Sequence, residues 1–124
     1  MKMKQERIFK SSWFSKAAKK VHISDGELSE AVAQIILGQG IDLGGGVFKK
    51  RLNKNEHRAI VLSKAGNFWI YEYVFAKKDR DNIDKAELKA FRVLAKSYLT
   101  LTDQQIATLI GSKDWFEIGL ETKQ

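Results

Sequence analysis

The chain has 124 residues, of which 44% are apolar and 30% charged, and it carries a formal net charge of +7. These values fit one folded domain and exclude a disordered tail or a membrane protein, since no apolar run approaches the roughly 20 residues needed to cross a bilayer. The chain has no cysteine and only two histidines, so disulfides and cysteine-based zinc sites are excluded and no metal or other cofactor is expected.

The N-terminal part of the chain predicts one strand and two helices. Residues 7–10 are expected to form a short first strand, and Ser11 or Ser12 to cap the first helix. Ser24, followed three residues later by Glu27, reads as a capping box that begins the second helix. Apolar residues of this second helix recur with the spacing of one helix face, at Leu28, Ala31, Val32, Ile35 and Ile36. Before the first strand there is no apolar core of a signal peptide, so a cytoplasmic location is expected.

The middle of the chain changes to the pattern of β-strands. A glycine-rich stretch at 43–46 is expected to form a flexible turn, because no Lys-Ser or Lys-Thr pair follows it as in a phosphate-binding loop. Three segments rich in β-branched and aromatic residues follow, with breaks at 53–55 and 65–67, and they span residues 47–52, 57–63 and 68–76. We interpret them as three successive antiparallel strands, a meander.

Two helices are predicted after the meander. Asp84 is expected to cap the first and Thr102 the second, and residues 112–124 follow as a tail. The order β-α-α-β-β-β-α-α predicts an α+β fold in a single domain over residues 1–124. In this fold a small antiparallel sheet has the N-terminal helices packed on one face, followed by the C-terminal helices. We expect all the helices to lie on one side of this sheet.

Positive charge is concentrated in two parts of the chain. Residues 1–22 contain seven Lys or Arg and one acid, and residues 49–58 contain five Lys or Arg and one acid. A small basic domain with clustered charge suggests an anionic partner, most often a nucleic acid. The alternative is that the charge only aids solubility.

The strand at 47–52 carries the most informative cations. Alternate side chains of a strand share a face, so Lys49 and Arg51 point together. If Phe48 and Leu52 of this strand pack under the helices, Lys49 and Arg51 stand on the open face of the sheet. Lys50 must then either reach an edge or snorkel. Arg58 lies on the next strand, roughly 5 Å away. These cations are therefore placed to converge on one phosphate, and the alternative is a solvated strand face.

Other residues near these cations are candidates for nucleic-acid contact. The set consists of Lys50, Lys54, His57, Lys77 and Arg80. His57 is either a general base or an ordinary surface histidine. The third meander strand also carries an alternating aromatic stripe, which is either part of the core or a platform for stacking bases: Trp69, Tyr71, Tyr73 and Phe75.

Several segments, taken together, resemble the RelE-like toxins of bacterial type II toxin–antitoxin systems. They are Trp13–Phe14, Ile23–Asp25, Asp42–Arg51, Phe75–Lys77 and Asn82–Ile83. The similarity spans about residues 8–110 and is closest to the subgroup whose antitoxins are commonly helix-turn-helix proteins. The resemblance implies a small antiparallel sheet with two N-terminal helices packed on it.

The resemblance also implies a function, which is cleavage of mRNA, often in the ribosomal decoding site, so that translation halts. It implies a cognate antitoxin as partner, and no membrane. Carried over by position, the catalytic cations are Lys49, Arg51, Arg58 and Lys78, or Lys77 if the register slips by one. In this reaction a ribose 2′-OH attacks the adjacent phosphodiester without a metal, fixed cations stabilise the charge that develops, and Lys49 is a candidate proton carrier.

Two alternatives stay open beside this reading. A related branch of the superfamily poisons DNA gyrase, so the chain is alternatively a non-enzymatic inhibitor of gyrase or of another protein. It is also alternatively a catalytically silent RNA-binding protein. The connection at 53–57 is shorter than in many members of the subgroup, and residues 81–84 lack the aromatic side chain that some relatives carry there.

Overall fold

The computed structural model describes residues 6–64 and 67–119 of the chain. The predicted break at Ala65–Gly66 and the end of the predicted tail lie outside these residues. The elements follow the order β1 (Arg7–Ser11), α1 (Ser12–Lys20), α2 (Asp25–Ile36), β2 (Ile41–Gly44), β3 (Val47–Leu52), β4 (His57–Lys64), β5 (Phe68–Ala76), α3 (Lys85–Ser97), α4 (Asp103–Gly111) and β6 (Trp115–Glu117). A short 3-10 turn at Tyr98–Thr100 joins α3 to α4. None of the described helices has the length and apolar character that crossing a membrane requires.

The sheet has six strands in the order β2-β3-β4-β5-β1-β6. The predicted meander is confirmed, because β3, β4 and β5 pair antiparallel along their lengths. In contrast, β1 lies parallel to β5, with Ile8 opposite Trp69. The sheet is therefore mixed and not purely antiparallel. The alternation of apolar residues in β1 and β5 does not encode their relative orientation, because tertiary packing sets the orientation of two strands this distant in sequence.

Helices cover both faces of the sheet. On one face, α1 and α2 pack through Phe14 and Leu28 against a core that includes Val61 and Tyr71. On the other face, the side chains of α3 and α4 pack against a second core, which includes the fully buried Ile60. The α+β class and the element order are confirmed, but the expectation that all helices lie on one side is wrong. Each face of the central strands is apolar, so each face needs a covering layer.

A β-bulge in β5 divides its aromatic stripe between the two faces. Ile60 pairs with Tyr73 and the next residue, Val61, pairs with Tyr71, so Glu72 is the extra residue. As a result, Trp69 and Tyr71 lie in the core under the N-terminal helices, whereas Tyr73 and Phe75 lie with the second core. The core interpretation of the stripe is confirmed for both groups. Burial raises the pKa of the Glu72 carboxyl, which accepts a hydrogen bond from the Tyr98 hydroxyl at 2.5 Å.

The predicted helix caps are present. Ser11 Oγ accepts from the Phe14 amide at 3.1 Å, and both Asp84 and Thr102 form complete capping boxes. At α2, Ser24 Oγ accepts from the Glu27 amide as predicted, but the second half of the predicted box is absent. The Glu27 carboxylate instead accepts from the backbone amide of Asn53. This contact ties α2 to the turn between β3 and β4.

The segment described above as a tail adds a strand to the sheet. β6 pairs antiparallel with β1, and Trp115 and Ile118 are buried in the two cores. The Arg7 guanidinium and the Glu117 carboxylate form an ion pair at 2.8 Å across these two strands. The sheet thus joins residues from near both ends of the described chain.

Candidate nucleic-acid interface

The cations of β3 and β4 meet in one cleft at the end of the meander. Arg51 lies directly opposite Arg58 across the β3–β4 pair, and Lys49 lies one pleat away, opposite Ile60. The cleft has a volume of about 380 Å³. Its lining consists of Gln39, Gly40, Ile41, Lys49, Lys50, Arg51, Arg58 and Asp81. The structure thus brings together Lys49, Arg51 and Arg58, three of the four predicted catalytic cations.

This cleft is the uncovered end of a face that is otherwise packed. Val47 and Arg51 both point to the face on which α3 lies, but Val47 is fully buried whereas Arg51 is exposed. Lys49, between them, is half-buried. The prediction of an open face is therefore wrong for most of the sheet, because the C-terminal helices cover this face. It holds only at the end of β3.

Lys50 reaches the cleft from the other side of the strand. Its alternation places it opposite the fully buried Ala59, on the face of α1 and α2. β2 pairs with β3 only as far as Lys49, so β3 has a free edge from Lys50 onward. The Lys50 side chain can therefore bend around this edge toward the cleft. Its Nζ donates to the Arg51 carbonyl at 3.3 Å. Of the two expectations for Lys50, the one that it reaches an edge is confirmed.

A tight turn positions the guanidinium of Arg58. Residues 53, 54 and 55 all have left-handed backbone conformations, with φ of 55°, 53° and 73°. This reversal directs the carbonyl of Asn55 at Arg58, whose Nη1 donates to it at 3.0 Å and to the His57 carbonyl at 3.2 Å. Both bonds use the same nitrogen. Nε and Nη2 of Arg58 have no protein acceptor among residues 6–64 and 67–119, so they are available to a ligand.

The cations in the cleft are not neutralised by ion pairs. The ion pairs within the described ranges are Arg7–Glu117, Lys10–Asp25 and Arg80–Glu87. Like charges directly across a strand pair are destabilising, yet Arg51 faces Arg58 in this way. A bound anion would remove that repulsion. The arrangement can therefore accommodate a phosphate or a similar anion.

Sequence reasoning missed the second wall of the cleft. Gln39, Gly40 and Ile41 come from the connection between α2 and β2, and Asp81 comes from the loop before α3. The sequence does not place Asp81 at the site, because its neighbours in sequence give no sign that this loop lies beside β3. Its carboxylate can accept a hydrogen bond or a proton from a ligand in the cleft.

Comparison with known proteins identifies the family. No curated protein sequence and no solved structure shows significant similarity to the chain. The family model described as the RelE toxin of the RelE/RelB toxin–antitoxin system matches residues 6–118, nearly the whole chain. The chain belongs to the RelE toxin family. The resemblance drawn from the sequence is confirmed, and with it the role of a toxin that has a cognate antitoxin.

The remaining lysines predicted at the site of the toxin lie outside the cleft. Lys77 and Lys78 occupy the exposed turn that follows β5, and Lys54 is exposed in the turn between β3 and β4. None of the three lines the cleft. The role assigned to Lys78 therefore stays a prediction from the family resemblance.

His57 of the toxin faces away from Arg58. It pairs with Leu52, which is buried under the N-terminal helices, so consecutive residues His57 and Arg58 point to opposite faces of β4. The His57 Nδ1 lies 3.1 Å from the side-chain nitrogen of Asn53. His57 is thus separated from the cationic cleft by the sheet.

Arg80 is engaged in contacts within the toxin itself. Its guanidinium pairs with Glu87 at 2.5 Å, donates to the Tyr73 hydroxyl at 3.2 Å and lies 5.5 Å from the centre of the Phe75 ring. Hydrogen bonding to the carboxylate raises the pKa of Arg80 and lowers the pKa of Glu87. These contacts hold the loop that carries Asp81 against the edge of the sheet.

The glycine-rich stretch is a packed turn rather than a flexible one. Gly44, Gly45 and Gly46 all have positive φ, and the Arg92 guanidinium of α3 donates to the carbonyls of Leu43 and Gly44. A Cβ on Gly45 would lie 2.8 Å from Arg92 Cγ. Glycine is therefore favoured by both backbone and packing, and the Arg92 hydrogen bonds tie α3 to the hairpin that carries Lys49.

Proposed function

We propose that this RelE-family toxin is an endoribonuclease that cleaves mRNA on the ribosome and so halts translation in the cytoplasm. The observation that supports this function is the convergence of Lys49, Arg51 and Arg58 in one cleft without paired carboxylates. A cleft of this kind matches the charge of a phosphodiester. The family match supports the toxin role itself.

The proposed reaction is an internal transfer at phosphorus. The ribose 2′-oxygen attacks the adjacent phosphorus and loses its proton, and the bond from phosphorus to the 5′-oxygen of the next nucleotide breaks. The leaving oxygen takes up a proton, so the products are a 2′,3′-cyclic phosphate and a 5′-hydroxyl. Negative charge accumulates on the phosphate oxygens in the transition state, where fixed cations lower the barrier. No metal enters this scheme.

The cations have different parts in this proposal. Arg58 has a planar guanidinium whose free nitrogens suit two-point contact with a phosphate. Arg51, opposite it, contacts the same group, and Lys49 carries a proton to or from the reacting oxygens. Lys78 is included as a fourth cation on the family resemblance alone.

Toeprinting on translating ribosomes with the purified toxin tests this function. We expect a new primer-extension stop within the codon in the decoding site, and no such stop on naked mRNA. RNA binding without cleavage would favour a silent RNA-binding protein. Inhibition of gyrase supercoiling with mRNA left intact would favour the inhibitor reading. Either outcome would contradict the proposal.

RNA binding by the toxin is expected to weaken steeply with salt. Each phosphate contacted by a lysine or arginine releases condensed counterions, with a slope of about −0.7 in log–log form per contact for a single strand. Three cations in the cleft therefore predict a slope of about −2 or steeper. Titration of a 2′-O-methyl oligonucleotide between low and physiological salt measures it, and an affinity that is flat over this range would refute phosphate binding.

The cognate antitoxin is expected to present an acidic segment to the cleft. The motivation is the net charge of +7 and the uncompensated cations beside the apolar, half-exposed Ile41. We further propose that the antitoxin is a helix-turn-helix protein, as in the subgroup the sequence resembles. Co-expression with the neighbouring reading frame should yield a stable complex and relieve growth arrest. A neighbour that neither co-purifies nor restores growth would contradict this pairing.

A further inference from the structure

A second groove lies beside the cationic cleft, on the edge of the sheet where β1 ends. β1 pairs with β5 only as far as Lys10 and Tyr71, and α1 then runs along the remainder of β5. The groove has a volume of about 530 Å³. One stripe of α1 forms one of its walls, with Trp13, Lys16, Ala17 and Lys20 at the spacing of a single helix face.

The floor of this groove is a stack of aromatic rings that ends at the surface. The Tyr73 ring lies 6.1 Å from Phe91 on one side and 5.3 Å from Trp13 on another, where the two rings are 30° from parallel. Trp13 is the end of the stack and is 52% exposed. An exposed tryptophan that is already fixed by stacking offers a flat surface at little entropic cost.

The wall formed by α1 is cationic, whereas the rest of the lining includes both Arg80 and Asp79. Lys16 and Lys20 are both exposed, and neither forms an ion pair with a carboxylate in the described part of the chain. They lie one helical turn apart on the side of the groove formed by α1. A ring surface flanked by free cations is the combination that single-stranded nucleic acids bind, by base stacking and phosphate contact together.

The groove and the cationic cleft are neighbours, although no residue lines both. Arg58 lines the cleft and lies opposite Phe75, which lines the groove. Arg80 lines the groove and the next residue, Asp81, lines the cleft. One strand of RNA can therefore occupy both sites without crossing a helix.

We infer that Trp13, Lys16 and Lys20 form a second RNA subsite, in which a base flanking the cleaved phosphodiester stacks on the Trp13 ring and its phosphates contact the two lysines. This inference rests on the proposed function, since it concerns the same RNA strand. It assigns α1 a role in holding the substrate, whereas the cleft acts on the reacting phosphate.

Tryptophan fluorescence provides a direct test with a 2′-O-methyl hexanucleotide, which cannot be cleaved. Trp69 and Trp115 are 6% and 4% exposed, so quenching by a stacked base reports on Trp13. We expect titration to quench the wild-type toxin and to leave the emission of Trp13→Phe unchanged. Trp13→Ala should weaken binding about tenfold or more, and Trp13→Phe less, because it keeps a ring.

The lysines are tested by charge-matched variants. Lys16→Ala combined with Lys20→Ala should reduce the salt slope by between one and two. Lys19→Ala removes a charge from the same helix, but Lys19 does not line the groove, so this control should bind as the wild type does. Melting temperatures confirm that each variant is folded.

The outcomes separate this inference from the proposed function. If the wild-type toxin binds the oligonucleotide and Trp13→Ala binds equally well, the subsite is refuted while RNA binding stands. If an acidic antitoxin peptide quenches Trp13 but RNA does not, the groove is a protein-binding surface and the inference is again refuted. If the wild-type toxin does not bind RNA at all, the proposed function and the subsite both fail.

Discussion

Replacing Arg58 with alanine is expected to slow RNA cleavage by roughly a hundredfold or more, because removal of one donor that stabilises developing charge has an effect of this size. Stability should change little. Arg58 is partly exposed, its hydrogen bonds go to the carbonyl of Asn55 in the exposed turn and to the carbonyl of His57, and its loss removes the repulsion with Arg51. Cleavage rate, growth inhibition and melting temperature measured side by side check this result. Lys49→Ala should behave in the same way.

Two further variants sharpen this test. Arg58→Lys retains the charge but loses the planar group with several donors, so it should restore RNA binding more than cleavage. Lys89→Ala removes a charge from the exposed surface of α3, outside the cleft, and should remain fully toxic. Full toxicity of Arg58→Ala would refute the assignment of this residue. A loss of toxicity that merely follows unfolding would make Arg58 structural.

Replacing Trp115 with alanine is expected to have the largest effect on stability. The Trp115 ring lies 5.0 Å from Phe9, 5.6 Å from Phe68 and 5.3 Å from Tyr98, and it is 4% exposed. Truncation of such a buried aromatic ring typically costs about 3–5 kcal/mol, from lost burial and the cavity that remains. For a domain of this size the melting temperature should fall by about 10 °C or more.

The neighbouring residue gives a matched control for this prediction. Phe116 lies on the same strand but is 36% exposed, because alternate side chains of β6 point to opposite sides. Phe116→Ala should change the free energy of unfolding far less than Trp115→Ala. Chemical denaturation of both variants measures the difference. Equal losses, or a negligible loss for Trp115→Ala, would contradict the place of β6 in the sheet.

Local sequence signals predicted most of the fold. The bounds of the meander strands agree with the structure to within one residue, because their alternation and the turn residues between them are local properties. The same holds for the caps at Ser11, Asp84 and Thr102, where a side-chain oxygen satisfies amides only three residues away. The convergence of Lys49, Arg51 and Arg58 followed from alternation combined with antiparallel pairing.

Contacts between residues distant in sequence could not be predicted from these local signals. β6 is short and its pairing with β1 joins residues more than 100 positions apart, so nothing in its own sequence predicts it. The bulge at Glu72 shifts the later part of β5 by one residue, which moves Tyr73 to the face opposite Tyr71. Alternation alone cannot detect this shift.

The cleft likewise combines features that local sequence predicts with features that depend on tertiary packing. Its cations lie on two adjacent strands and could be predicted, but Asp81 and the α2–β2 connection reach it only through tertiary packing. Arg80 was predicted from charge alone to contact nucleic acid. Its pairing with Glu87 comes from the geometry of the loop before α3.

The chemical nature of the cut ends tests the central claim most directly, namely that the cationic cleft promotes attack by the ribose 2′-OH. RNA cleaved by the purified toxin on translating ribosomes should carry a 5′-hydroxyl on the downstream fragment and a 2′,3′-cyclic phosphate on the upstream one. Labelling with a polynucleotide kinase, with and without prior phosphatase treatment, distinguishes these ends, and a 2′-deoxy substitution at the cleaved nucleotide should abolish the cut. A 5′-phosphate on the downstream fragment, or efficient cleavage of the 2′-deoxy substrate, would contradict it.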